Sequence, residues 1–355
     1  MMAMKFSITP ELEVLQAYCS SNVPELGVLL TLEKFSGGQS NPSFKLSTTM
    51  GEYVLRRQPL GKLLKSAHAV DREYRIINAL QNSNVPVPKA IHLCTNSDVI
   101  GSQFFIMSFV DGDIFWNASL SSLDERPCFG ASPNSKRSKI YDQMNLALAN
   151  LHSINPQDVG LEDFGRPGNY FARQLDRWTK QYIAAKTQED ENAEFLIKWL
   201  GENLPEDDGL NAIVHGDFRL DNMIFSHDSQ ELCAILDWEL STLGHPYADL
   251  AYQCMQLRLP ANMGNVPGLG GVYREELGIP SEDDYVALYC QRMGIEKIDN
   301  WQFYIAFSFF RLLSIVQGVV KRGKDGNASS PKALELEQLL SPLSNLAVRA
   351  IKENY

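Results

Sequence analysis

The stretch from Ile213 to Glu239 restricts the possible folds of this chain more than any other segment. Two short apolar runs, 223–225 and 232–236, flank a polar turn, and this arrangement is typical of a tight antiparallel hairpin with two buried strands. In such a hairpin the residue that enters the first strand lies opposite the residue that leaves the second. We therefore expect Asn222 to lie beside Asp237 at the open end of the hairpin.

Amide and carboxylate oxygens at this point are suited to one hard cation. Mg²⁺ takes oxygen ligands, keeps several waters and shares its remaining coordination with substrate phosphates. Asn222 and Asp237 are therefore candidate Mg²⁺ ligands, and Glu239, two residues further on, is a third. The alternative, a solvated strand end with no metal, explains the acidic residues singly, but their order and spacing favour a metal site.

A polar loop precedes the hairpin and carries a candidate catalytic base. His215, Asp217 and Asn222 match the His-x-Asp-x-x-x-x-Asn pattern of kinase catalytic loops, in which the Asp accepts the hydroxyl proton of the substrate. Phosphoryl transfer depends mainly on positioning and on charge neutralisation, so a base and metal-bound phosphates cover most of the chemistry. Arg219 in the same loop is a candidate for steadying phosphate charge, although an exposed loop arginine explains it equally well.

These motifs, His-Gly-Asp-x-x-x-x-Asn at 215–222 and Ile-x-Asp-x-Glu at 235–239, resemble those of the aminoglycoside phosphotransferase and choline kinase group of small-molecule kinases. Within that group the chain resembles the kinase-like proteins related to domains fused to acyl-CoA dehydrogenases. The phrases that carry this second resemblance are Tyr-Val-Leu-Arg-Arg at 53–57, Ala-His-Ala-Val-Asp-Arg-Glu-Tyr at 67–74 and Asp-Phe-Gly-Arg-Pro at 163–167. The resemblance covers nearly the whole chain.

The resemblance implies an α+β, bilobal, protein-kinase-like fold. We expect a small N-terminal lobe with an antiparallel sheet over residues 1–107, which binds ATP, and a larger, mainly helical lobe over 108–355, which carries catalysis and binds the substrate. In the resembling family the junction is a hinge. By that resemblance, backbone groups near Ser108 and Val110 would hydrogen-bond the adenine of the nucleotide.

A turn of small residues connects two predicted strands near the N-terminus. Such turns can place backbone N–H groups over phosphates, although most Gly-Gly turns are plain hairpin connections without a ligand. The position of this turn along a kinase-like chain favours a nucleotide-binding loop, formed by Gly37, Gly38, Gln39, Ser40 and Asn41.

The next strand and helix offer a buried ion pair. Arg56 and Arg57 lie on opposite faces of a predicted strand, so one of them faces inward. Glu73 falls on the packed side of the predicted helix 66–80 and requires a cation, for which we favour Arg56, as the kinase Lys and Glu pair to position phosphates. The wider family usually has Lys there. A one-residue shift would give the role to Arg57, and a mere surface tether is the remaining alternative.

Composition excludes several classes of function. A chain of 355 residues with 44% hydrophobic content can bury a large core, and a net charge of -11 disfavours nucleic acid and anionic membranes as partners. The six cysteines form no Cys-x-x-Cys pair, and the first ten residues lack a signal-peptide pattern, so we expect a cytoplasmic protein. The apolar segment 301–320 contains Arg311, which favours a buried helix over a membrane span.

The spacing of apolar residues predicts mainly helices in the C-terminal part, at 139–153, 170–183, 193–200, 285–293, 301–320 and 334–351. We expect a surface loop over 117–138. Asp249 lies near another helix start, where free N–H groups favour a carboxylate. The resemblance gives it a supporting structural role. For Arg311 we favour pairing with an internal carboxylate, with a place in the acceptor pocket as the alternative.

The sequence thus predicts a phosphotransferase that moves the γ-phosphoryl group of ATP, with Mg²⁺, to a hydroxyl group of a small molecule. Its subgroup suggests a hydroxyacyl-CoA as the acceptor, and the larger family suggests an aminoglycoside-like compound. A nucleotide-binding regulatory module without strong catalysis and a metal-dependent phosphohydrolase are the alternatives. The preference for ATP over GTP and the oligomeric state stay open.

Overall fold

The structure of the protein is a computed structural model that describes residues 10–35, 41–60, 69–125, 132–263, 267–327 and 331–352. In chain order, its helices and strands are α1 (Pro10–Asn22), β1 (Leu29–Lys34), β2 (Ser43–Thr48), β3 (Gly51–Arg57), α2 (Val70–Leu80), β4 (Ala90–Cys94), β5 (Phe104–Ser108), α3 (Pro133–His152), α4 (Tyr170–Ala185), α5 (Glu191–Glu202), β6 (Ala212–Val214), β7 (Met223–Phe225), β8 (Leu232–Ile235), β9 (Thr242–Gly244), α6 (Tyr247–Arg258), α7 (Glu282–Met293), α8 (Trp301–Lys324) and α9 (Leu340–Lys352). The predicted α+β class is confirmed.

The chain divides into two compact units. The first comprises 1–113 together with 224–227 and 233–241, and the second comprises the remainder. The predicted lobe boundary at 107/108 stays a prediction, and backbone hydrogen bonds connect later residues to this first unit. Asp113 exchanges N–H···O bonds with Phe225 at 2.7 and 2.9 Å, and the Ile235 N–H donates to the Pro86 carbonyl at 2.8 Å. Most of the hairpin therefore packs with the N-terminal residues.

The first unit contains an antiparallel five-stranded sheet in the order β1-β2-β3-β5-β4. The turn between β2 and β3 places Gly51 at φ 145°, a conformation that glycine adopts without a steric penalty. Leu46 and Leu55 face α1 from these two strands and are completely buried with Leu15. Burial of their apolar side chains on one face fixes the strand register, since a slip of one residue would turn them to solvent.

The predicted hairpin is confirmed as a two-stranded sheet of β7 and β8. All three residues of β7 are buried, whereas in β8 the first two residues are only half-buried. Asn222 belongs to the second unit and Asp237 to the first. Their proximity therefore stays a prediction.

The second unit is mainly helical, and α8 is its central element. This helix is long and apolar enough to cross a membrane by length and composition, yet 83% of its most apolar window is buried within the described part of the chain. It contacts α4, α6 and α9. The prediction of a buried core helix at this position is confirmed.

Two helix starts in this unit lie six residues from the predicted positions. Helix α3 begins at Pro133 rather than at residue 139, because the Ser132 hydroxyl caps it by accepting a bond from the Ser135 N–H at 3.3 Å, and proline favours the first turn. The C-terminal segment forms 3₁₀ turns over Pro331–Leu339 before α9 begins at Leu340. Pro342 explains this start, since proline is tolerated in the first turn of a helix but not in its interior.

Candidate active site

The loop between β6 and β7 is held by a buried carboxylate. Asp249, in the first turn of α6, accepts the backbone N–H groups of His215 at 2.6 Å and of Gly216 at 2.9 Å. Its carboxylate is 1% exposed. Burial acts to raise the pKa of Asp249, but the bonds from His152 and Gly216 and the charges of the two histidines lower it overall. The predicted supporting role of Asp249 is thus visible in its contacts.

Arg311 holds the same loop from the opposite direction. Its Nη2 donates to the Gly216 carbonyl, and its guanidinium lies 4.6 Å from the ring centre of Tyr252 and 5.7 Å from that of Trp178. No carboxylate pairs with Arg311 within the described ranges, so the favoured pairing was wrong. A backbone carbonyl and two aromatic faces contact the guanidinium instead, while its Nε is buried without a hydrogen-bond partner among the described residues. An arginine amid an apolar helix was the sequence signal for such a contact.

Asp217 and Asn222 meet within the loop. The Asn222 amide nitrogen donates to the Asp217 carbonyl at 2.9 Å and to the Asp217 carboxylate Oδ2 at 3.1 Å. Burial raises the pKa of Tyr252 to about 12, and the neighbouring Asp217 carboxylate contributes to that rise. The candidate base is therefore positioned by side chains from its own loop and from α6.

Arg219 is engaged by a neighbour. Its Nε and Nη2 donate to the two carboxylate oxygens of Asp221, which forms a bidentate pair. Burial alone would lower the pKa of Arg219, but the Asp221 contacts raise it overall. A role in steadying phosphate charge stays a prediction and competes with this pair.

In the first unit, Arg56 binds Glu73, as the sequence predicted. The Arg56 Nε donates to Glu73 Oε2 at 2.8 Å, with the two side chains 11% and 1% exposed. Arg57 turns to the other face, where it donates to Ser102 Oγ at 3.0 Å and to the Ile100 carbonyl at 2.8 Å. Arg56 rather than Arg57 therefore takes the paired position, and the surface tether is excluded by burial.

Two further carboxylates face Arg56. Its Nη2 donates to Asp237 Oδ1 and lies 3.8 Å from Glu239 Oε2. Burial raises the pKa of Glu73 to about 7, against the opposing charge of Arg56. For Arg56 itself burial acts to lower the pKa, and the surrounding carboxylates raise it overall. One guanidinium thus neutralises only part of the negative charge of these three carboxylates.

Asp237 has an unusual backbone conformation. Its φ is 64°, in the left-handed region, directly before a short 3₁₀ turn at Trp238–Leu240. Trp238 is buried and donates from Nε1 to the Ile235 carbonyl at 2.9 Å, which fixes the turn. A left-handed residue other than glycine costs free energy and persists where the surroundings hold it, often at functional sites. The strain orients the Asp237 carboxylate toward Arg56.

Of the predicted nucleotide-binding loop, the structure describes Asn41. Gly37, Gly38, Gln39 and Ser40 lie outside the described residues. Asn41 is 1% exposed, and its Nδ2 donates to Glu239 Oε2 at 3.2 Å.

At the predicted hinge, the Ser108 N–H donates to the Lys89 carbonyl at 2.9 Å, so this donor is already engaged, and Val110 follows two residues beyond. The adenine contacts stay a prediction.

The chain is similar to known phosphotransferases in sequence. Residues 31–281 match the model of the phosphotransferase enzyme family. Over 318 residues the chain is 44% identical to the mouse protein acyl-CoA dehydrogenase family member 10, a match that covers 90% of this chain and 29% of that protein. The chain spans less than a third of this relative's length, and the predicted resemblance to this subgroup is confirmed.

Solved structures show the same fold. A Ralstonia eutropha protein, provisionally assigned as an aminoglycoside phosphotransferase, matches with a TM-score of 0.85 and 42% identity over 96% of this chain and 98% of that one. An aminoglycoside phosphotransferase in complex with ADP and hygromycin B has a TM-score of 0.58 at 13% identity, covering 93% and 97% of the two chains. The second likeness concerns the fold alone.

Proposed function

Because this chain belongs to the phosphotransferase enzyme family, we propose that it transfers the γ-phosphoryl group of ATP, with Mg²⁺, to a hydroxyl group of a small molecule. The oxygen of that hydroxyl bonds to the γ-phosphorus, its proton passes to Asp217, and the bond from phosphorus to the ADP oxygen breaks. The kinase type of this chemistry follows from the family, and the donor, the metal and the acceptor are the proposed parts.

The observation that carries the proposal is the contact between Asn222 and the Asp217 carboxylate at 3.1 Å. A general base must be held within hydrogen-bond reach of the proton that it accepts. Asn222 orients the carboxylate, and Asp249 and Arg311 fix the backbone from which it projects. The loop's own contacts thus hold the candidate base in place, and such fixed geometry limits reorganisation during the reaction.

The charge around Arg56 supports a nucleotide with a divalent cation. Three carboxylates surround this guanidinium, so the cluster fits a cation that arrives with phosphates better than phosphates alone. Across the described ranges no three His, Cys, Asp or Glu side chains form a closed metal site. An open site agrees with Mg²⁺, which relies on few protein ligands. Asp237, Glu239 and Asn222 would hold the ion, which when bound neutralises phosphate charge.

The Arg56 contacts also bear on the alternatives. The substitution of Arg for the usual Lys was the support for a regulatory module, yet Arg56 forms the buried pair with Glu73 that the Lys would form. A phosphohydrolase has no need of that pair. The cytosol stays the proposed compartment, because scattered cysteines without a Cys-x-x-Cys pair suit reducing conditions. A hydroxyacyl-CoA and an aminoglycoside-like compound remain the two proposed acceptors.

Acceptor-stimulated ADP formation from Mg-ATP tests the proposal, with a panel of hydroxylated metabolites, acyl-CoAs and aminoglycosides. Asp217→Asn is expected to lower turnover by roughly 10²- to 10⁴-fold and to leave nucleotide binding near that of the wild type. Asp176→Asn is the matched control, because Asp176 is an exposed carboxylate that pairs with the equally exposed Lys180. Unchanged turnover in Asp217→Asn removes Asp217 from the mechanism, and ADP release that no acceptor stimulates removes the kinase assignment.

A further inference from the structure

A small cavity in the second unit lies against the catalytic loop. Its volume is about 180 Å³, and loop residues 219–221 form one wall. Helix α6 contributes Gln253, and the segment after the first unit contributes Trp116. A compound in this cavity would contact the loop that carries Asp217, so its chemistry bears on the acceptor.

Gln253 lines this cavity and carries a donor without a partner among the described residues. Its Oε1 accepts from the Tyr285 hydroxyl at 2.9 Å, and the Tyr285 backbone carbonyl accepts from Asn145 Nδ2 at 2.8 Å. The Nε2 of Gln253 is buried and has no hydrogen-bond partner in the part of the chain that the structure describes. Buried donors are nearly always paired, so this one points to a ligand oxygen.

The cavity is electrically balanced. Arg219 and Asp221 are the charged side chains among the described residues that line it, and they bind each other through two hydrogen bonds. Such a bidentate pair leaves this part of the wall without net charge. A polycation would find no unpaired carboxylate here, and an anion would find no unpaired guanidinium. The part of a ligand that enters is therefore uncharged.

Apart from the polar Gln256, the remaining lining residues are apolar or aromatic. Phe115, Met144 and Leu257 are buried, and Trp116, with 73% of its surface exposed, stands at the rim. An aromatic side chain that is open to solvent at a cavity mouth offers a flat surface on which an apolar group can pack. Apolar walls with one directed donor are typical of small-molecule sites.

We propose that Gln253 is a specificity-determining residue for the phosphoryl acceptor, and that this acceptor inserts an uncharged apolar segment whose carbonyl or amide oxygen accepts a hydrogen bond from Gln253 Nε2. The inference rests on the proposed function. Of the two acceptors considered above, it favours the acyl compound over the polycationic aminoglycoside.

The test compares two probes, an uncharged N-alkyl hydroxyalkanamide series and kanamycin, by turnover and by the thermal shift that each causes. Gln253→Leu removes the donor at similar volume, and Gln253→Glu keeps an oxygen for Tyr285 but replaces the donor. Both variants are expected to raise the KM for the hydroxyalkanamide about tenfold, the value of one hydrogen bond. The kcat and the KM for ATP stay near wild type, because the contact lies away from the transferred phosphoryl group.

Gln317→Leu is the matched control, since Gln317 is equally buried but its Nε2 is already bonded to the Ala185 carbonyl at 2.9 Å. A KM for the hydroxyalkanamide that is unchanged in both Gln253 variants overturns the inference. So does a wild-type protein that binds or phosphorylates kanamycin but not the hydroxyalkanamide, a result that leaves the proposed kinase function standing. Absence of acceptor-stimulated ADP formation with every hydroxyl compound refutes the proposed function, while loss of the thermal shift in the Gln253 variants would still support the binding site.

Discussion

The buried pair of Arg56 and Glu73 gives a prediction whose size and pH dependence both follow from the contacts. Arg56→Met keeps much of the side-chain volume but leaves the Glu73 carboxylate, 1% exposed, without its cation. Removing one partner of a buried pair costs about 3–5 kcal/mol. We expect a loss of that size in the free energy of unfolding at pH 8.

The pH dependence follows from the pKa of Glu73. Burial already raises this pKa from 4.5 to about 7 with Arg56 present, and without the opposing charge it rises further. When the pKa of a carboxyl is higher in the folded than in the unfolded protein, the free energy of unfolding falls as pH rises toward the folded pKa. The fall is about 1.4 kcal/mol per pH unit. In the wild type this loss ends near pH 7, but in Arg56→Met it continues. The difference in the free energy of unfolding between the wild type and Arg56→Met, the stability gap, therefore widens above pH 7.

Urea unfolding followed by tryptophan fluorescence at pH 6, 7 and 8 measures the gap. The double variant Arg56→Met/Glu73→Gln is expected to recover most of the lost stability and to show a gap that does not widen. Arg57→Met is the matched control, because its partner Glu11 is 44% exposed and is not stranded in the core. A loss below about 1 kcal/mol in Arg56→Met, or a gap that is constant from pH 6 to 8, refutes the reasoning.

Two further predictions concern the support of the catalytic loop. Asp249→Asn places an amide where one carboxylate accepts two backbone N–H groups, and it should reduce the free energy of unfolding at pH 7 by about 1–3 kcal/mol. The wild-type contribution of Asp249 is present above the unfolded pKa of 3.8 and is lost as pH falls through the lower folded pKa, so urea unfolding at pH 7 and pH 3 should show a smaller difference at the lower pH. Arg311→Lys keeps one donor for the Gly216 carbonyl, whereas Arg311→Met keeps none, so kcat should fall further in Arg311→Met; equal kcat in both variants contradicts a positioning role.

The sequence predicted those features of the fold and of the site that depend on a local pattern of residues. The two apolar runs around the polar turn predicted β7 and β8, and the five-residue spacing of the motif placed Asp217 and Asn222 in one loop, where they are in contact. Asp249 could be placed because a carboxylate near a helix start has a general physical reason to be there. Each of these predictions depends on residues that are close together in the chain, where geometry follows from secondary structure.

Other contacts could not be predicted in this way. Strand periodicity separates Arg56 from Arg57 but does not say which face meets Glu73, because both faces of β3 are covered and both arginines find buried partners. We predicted a carboxylate partner for Arg311 because a sequence shows which residues are acidic. Its actual acceptor is the Gly216 carbonyl, 95 residues away, and every residue has a carbonyl.

The contacts of Gly216 explain how the second unit holds the candidate base in place. Its N–H is bound by Asp249 on α6 and its carbonyl by Arg311 on α8, so both hydrogen-bonding groups of one residue are fixed by two different helices. Gly216 itself has φ 84°, a conformation that favours glycine. The next residue is Asp217. A backbone anchored on both sides immediately before the base leaves its side chain little freedom beyond rotation about its own bonds, and Asn222 restricts that rotation.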